Sequence, residues 1–211
     1  MIDKIYFFGS EYKNDNEIKE LSDKSVLYSP KGNESICLDG DSVSIGANVL
    51  NLFHNYDIVY LDIRLLNTTD LGMGFLSEFG FKFFNAKGDI LTPSGYNVYY
   101  IESLTSNELE KFNGKKLRLI LNRPENSKYR FCKTGSTPLA VLEFELMKRS
   151  IINLVTRMDG LGFDTKSDLL ANDGGGFSTV VCALLRDENI SYYSILEDIS
   201  YDNGVIKKIC I

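Results

Sequence analysis

Asp62, Asp70 and Glu78 stand within one stretch, Tyr56 to Gly80, that also carries Gly72, Gly74 and Gly80. Carboxylates and glycines in this pattern suit displacement at a sugar anomeric carbon. The transition state there resembles an oxocarbenium ion, which a nearby carboxylate stabilises or traps as a covalent glycosyl intermediate. A second carboxylic acid can protonate or hydrogen-bond the leaving group. Gly74 lies one helical turn before Glu78 and so on the same helix face, where the missing side chain is expected to leave open space over the carboxylate. Glycine inside a helix costs about 1 kcal/mol relative to alanine, so its presence there calls for a reason.

The elements that must hold these residues are legible. Tyr56-Asp57-Ile58-Val59-Tyr60-Leu61-Asp62-Ile63 is β-branched, aromatic and almost continuously apolar, as in a strand covered on both faces. A polar loop, 64–70, leads into a predicted helix over 71–84, closed by Asn85-Ala86-Lys87-Gly88. Lys4-Ile5-Tyr6-Phe7-Phe8-Gly9-Ser10 reads as a central strand ending in a small-residue turn, Asn14–Leu21 as a short helix and Ser25–Pro30 as a strand. Val49, Leu50 and Phe53 are near helical spacing. Strands alternating with helices give an α/β class: a parallel Rossmann-like (flavodoxin-like) sheet flanked by helices, with an extended or additional C-terminal region. Ligands of such sheets bind beyond the carboxyl ends of the strands.

The same residues carry a family likeness. A strand ending near Asp62, then Asp70-Leu71-Gly72, then Glu78-Phe79-Gly80, resembles the nucleoside 2-deoxyribosyltransferases and their nucleotide N-glycosidase relatives, and the first strand and turn at 4–10 resemble the family's opening. The resemblance implies cleavage or exchange of the N-glycosidic bond of a (deoxy)nucleoside or nucleotide. Glu78 would be the nucleophile and Asp70 would assist base protonation or orientation. Asp62 would help hold the base, and Gly9, Ser10 and Gly72 would line the sugar or 5′ end. It further implies a homo-oligomer and no cofactor. Five residues separate Gly72 from Glu78, more than the family's usual spacing, which favours an alternative from another class: a non-catalytic module that binds a nucleotide or nucleotide-derived signal. Simple capping by Asp62 and Asp70, tight packing at Gly72 and Gly74, and a solvated Glu78 form a purely structural reading of the same stretch.

The likeness covers a core at 1–105. Residues 106–211 read as a C-terminal α/β extension on the same domain, with strands expected at 97–101 and 116–121 and helices at 138–157 and 177–186. Gly174-Gly175-Gly176 lacks the lysine of a phosphate-binding loop and reads as a surface loop. Four scattered cysteines without a CxxC pair, and one histidine, argue against a disulfide framework or zinc, so no metal is expected. His54 reads as a helix-end residue. A net charge of −6 argues against a nucleic-acid polymer as partner. No apolar run is long enough to span a bilayer and no secretion signal opens the chain, so the expected location is cytoplasmic.

Overall fold

A computed structural model describes residues 16–30, 41–63, 66, 68–106, 114–121, 149–150, 152–154, 156, 177, 190–194, 199–202 and 205–208. The sheet is α/β in kind. It begins with β1 (Glu17–Ser22) and β2 (Ser25–Ser29), an antiparallel pair. The expected helix over Asn14–Leu21 is therefore corrected: residues 17–22 alternate half-buried and exposed side chains, a period of two that no helix face satisfies. Ser22 closes the connection, its Oγ accepting from Lys24 N at 3.3 Å and lying 2.7 Å from Ser25 Oγ.

Helix α1 (Val43–Asn55) buries Ile45, Gly46, Val49 and Phe53 and leads into β3 (Ile58–Asp62), which pairs in parallel with β2. β6 (Lys116–Leu121) pairs in parallel with β3, and β7 (Ile190–Ser194) in parallel with β6. The order is β1-β2-β3-β6-β7, so one sheet continues across position 105. β8 (Ile199–Asp202) and β9 (Val205–Lys208) form a separate antiparallel pair.

Between β3 and β6 lies an excursion with its own logic. Helix α2 (Met73–Glu78) is short, and the helix expected to reach Phe84 stops at Gly80. Gly80 takes φ +88°, a left-handed conformation that ends a helix and that glycine adopts without a Cβ clash. The chain then extends as β4 (Phe81–Phe84), with Phe81 and Phe83 buried and Lys82 exposed. The strand expected at 97–101 is likewise corrected: α3 (Gly95–Val98) is a single turn whose N-cap, Ser94, accepts from Asn97 N. The strand comes later, as β5 (Ser103–Ser106), antiparallel to β4.

Strand alternation sorts the sheet into two faces. Val26 and Tyr28, Val59 and Leu61, Leu117 and Leu119 join one core with Val49 and Phe53 of α1 and Phe75 and Leu76 of α2. Leu154 and Phe177 belong to the same core, Phe177 meeting Phe75 edge-on at 5.1 Å between ring centres. This is the helical face. Leu27, Tyr60 and Ile120, also buried, lie on the opposite face with Ser29, Asp62 and Arg118.

Candidate functional site

Asp70 is fully buried and its carboxylate is surrounded by donors. Oδ2 accepts from Ser42 N (2.8 Å), Ser42 Oγ (2.8 Å) and Gly74 N (2.9 Å), and Oδ1 accepts from Gly72 N (3.0 Å). Ser42 Oγ in turn accepts from Phe75 N at 2.8 Å. Ser42 is the N-cap of α1, yet its hydroxyl serves the backbone of α2 rather than its own helix. One carboxylate thus ties the starts of two helices together, satisfying amides that a helix start leaves without partners. Burial pushes the Asp70 carboxyl up from its ordinary value near 3.8, and the hydrogen bonds from Gly74, Ser42 and Gly72 pull it partly back.

The turn that presents these amides is tight. Met73 N donates to Asp70 O at 2.9 Å across Leu71 (φ +53°) and Gly72 (φ +82°). Two successive positive φ values describe a type I′-like turn. Glycine suits the second position. Leucine at the first is sterically costly, and its side chain is held buried in the core.

Gly74 does not open space over Glu78. A Cβ there would stand 2.6 Å from Val43 N, 2.9 Å from Ser42 N and 2.9 Å from Asp70 Oδ2, so the glycine lets α2 approach the start of α1. The residue facing Glu78 is Gly46 of α1, whose Cβ would lie 3.0 Å from Glu78 Cβ and Cγ and 2.8 Å from Phe75 O. Glu78 is half-buried at the far end of α2. The helix rise alone separates it from the Asp70 end by about 8 Å.

Asp62, the last residue of β3, is buried on the opposite face, since Leu61 before it enters the helical core. Asp70 and Glu78 belong to the helical side. Asp70 and Gly74 meet directly and Gly72 joins them, whereas Asp62 lies on the opposite face of the sheet and Glu78 at the other end of α2. Gly9, Ser10, the four cysteines and Gly174–Gly176 lie outside the described residues. His54 ends α1 as expected, its Nδ1 3.3 Å from Asn51 O.

A second polar grouping was not anticipated. Tyr60 and Arg118 are cross-strand partners on the opposite face, with Arg118 Nη1 donating to Tyr60 OH at 2.7 Å and the guanidinium 5.4 Å from the ring centre. Continuing the Tyr28–Leu61 pairing by one residue places Ser29 across from Asp62. Asp62 itself pairs with Ile120, two residues beyond Arg118 on β6. Ser29 and Asp62 therefore stand at the carboxyl ends of β2 and β3, while Tyr60 and Arg118 lie on the same face two residues earlier, within β3 and β6. The clue in the sequence was weak: single polar residues at alternating positions of three distant apolar runs. Only the register joins them.

Among the described residues, no three His, Cys, Asp or Glu side chains gather where they could hold a metal ion, and no helix is long and apolar enough to cross a membrane.

No family model and no curated protein matches the chain. Solved structures do. A proposed glycerate kinase, glycerate kinase 2 from Salmonella typhimurium LT2, is similar over 81% of this chain with a TM-score of 0.57 and 17% identity. The match covers 49% of that structure, so the chain spans about half its length. The likeness shows a shared fold. A lipoprotein from Streptococcus agalactiae aligns over 93% of this chain and 58% of its own with 11% identity, but its TM-score of 0.32 carries no structural argument.

Proposed function

We propose that this chain binds a small hydroxylated organic anion on the opposite face of its sheet, between the carboxyl ends of β2 and β3 and Arg118 within β6. The observation that carries the reading is the placement of half-buried Arg118 and buried Asp62 on one face of the sheet, diagonal to each other on adjacent strands. Their backbones are about 8 Å apart by sheet geometry. Arg118 supplies a delocalised cation, held by the Tyr60 hydroxyl and ring, that suits a carboxylate or phosphate. Asp62 offers an acceptor for hydroxyl groups and repels a second anion, which orients the ligand. Carboxyl strand ends are where such sheets take ligands. The glycerate kinase with this fold acts, by its name, on a hydroxy acid with an anionic end and neighbouring hydroxyls, and phosphoryl transfer to such an acid is the reaction class to test first.

The test incubates pure protein with D-glycerate, with and without Mg-ATP, following thermal stability and phosphorylated product. A rise in Tm with D-glycerate is expected. No shift and no product would overturn the reading, and a shift without product would define a binding module.

Half-buried Glu78, seated against Gly46, supports a second reading: N-glycosidic cleavage or exchange with Glu78 as nucleophile. In that reading Asp70 positions α2, because its oxygens are already engaged by backbone and Ser42. Free base released from deoxynucleosides or deoxynucleotides, and lost in Glu78→Gln, supports it; no release from either substrate class removes it.

A further inference from the structure

We infer that the Ser29 hydroxyl is a ligand contact, meeting a hydroxyl group of the bound anion from the side opposite Asp62. The inference rests on the small-anion reading above and deepens it. Ser29 ends β2 and is only 8% exposed, and among the described residues its buried Oγ has no hydrogen-bond partner. Hydroxyls elsewhere are paired. Tyr28 OH accepts from Asn48 Nδ2 at 2.9 Å, Ser25 Oγ lies 2.7 Å from Ser22 Oγ, and Ser42 Oγ both donates and accepts. A buried hydroxyl without a partner is uncommon in a folded chain, because nothing repays its desolvation.

Its surroundings define the missing group. Ser29 lies across from Asp62, one strand away, so their backbones are about 5 Å apart. A group bridging the two must donate to the Asp62 carboxylate while pairing with a hydroxyl that can donate or accept. A ligand hydroxyl does both. A carboxylate or phosphate oxygen would only accept, and would face Asp62 as a like charge. The anionic end is thereby directed toward Arg118 and the hydroxyl end toward Ser29 and Asp62.

The experiment compares the full-length chain with Ser29→Ala in two readouts. Without ligand, Ser29→Ala is expected to unfold at the same temperature as wild type or about 2–4 °C higher, since an unpaired buried hydroxyl is removed. A fall of several degrees would mean that the hydroxyl has a structural partner and would overturn the inference. With ligand, affinities are measured for D-glycerate, D-lactate and 3-hydroxypropanoate, the last two each lacking one hydroxyl. Wild type should bind D-glycerate at least tenfold more tightly than one of these analogues, and Ser29→Ala should cut that preference severalfold, the Asp62 contact remaining, while leaving the affinity for that analogue unchanged. If Ser29→Ala keeps the preference, the Ser29 contact is wrong and the small-anion reading stands. If wild type binds none of the three acids, the small-anion reading falls and the contact with it.

Discussion

The two polar clusters of this molecule are built on opposite principles. Around Asp70 every polar atom serves another: three backbone amides and the Ser42 hydroxyl converge on one buried carboxylate, and the hydroxyl passes the chain of bonds on to Phe75 N. On the opposite face Ser29 and Asp62, at the ends of β2 and β3, are also buried and Arg118 within β6 is half-buried, yet Ser29 lacks a partner among the described residues. A fully satisfied network stabilises a fold and leaves little to offer a ligand. An incompletely satisfied one is tolerated where something else completes it. The contrast separates scaffold from site although both are rich in the same residue types.

Breaking the scaffold should produce the largest effect. Asp70→Ala leaves Ser42, Gly72 and Gly74 amides unpaired in the interior, and a loss of about 3–5 kcal/mol in chemical denaturation is expected. Gly74→Ala comes next. Its Cβ would press on backbone at Val43 and Ser42, which cannot yield as a flexible side chain would, so about 2–3 kcal/mol is expected. If Gly74→Ala is as stable as wild type, the close approach of α2 to α1 is wrong.

The protonation of Asp70 sharpens the same side of the comparison. Its carboxyl is raised in the folded chain, so the folded state holds the proton more tightly than the unfolded one. The stability this linkage adds is complete below the ordinary value near 3.8 and is lost as pH rises through the folded value. The stability gap between wild type and Asp70→Asn, which cannot titrate, should therefore widen as pH falls from 7 toward 4. A gap that narrows instead would mean that the four hydrogen bonds outweigh burial.

On the other cluster the order of effects reverses, with small changes in stability and large ones in binding. Outside both clusters, at the far end of α2, Glu78→Gln should shift stability by less than about 1 kcal/mol, because the isosteric amide keeps the contact with Gly46.

How much of this was legible beforehand differs between the two clusters for a physical reason. The almost continuous apolar run of β3 announced a buried strand, 116–121 was expected as a strand, and the polar stretch ending at Asp70 announced that a helix follows, since these signals are local. Gly80 was misread because Phe79 to Phe84 is apolar enough to extend a helix; the exposed Lys82 between Phe81 and Phe83 was the sign of a strand. Gly74 was placed on the correct helix but given the wrong neighbour, for nothing local tells which element a glycine approaches. The Ser29–Asp62–Arg118 grouping depends on the register of three strands drawn from distant parts of the chain. A shift of one residue in any of them would send its polar group to the helical face.

The most direct test of the central claim is isothermal titration of D-glycerate into wild type and Arg118→Met, the latter keeping the apolar stem while removing the charge. Saturable binding by wild type, weakened tenfold or more in a folded Arg118→Met, is the predicted result. Equal affinities in the two proteins, or no binding by wild type, would contradict it.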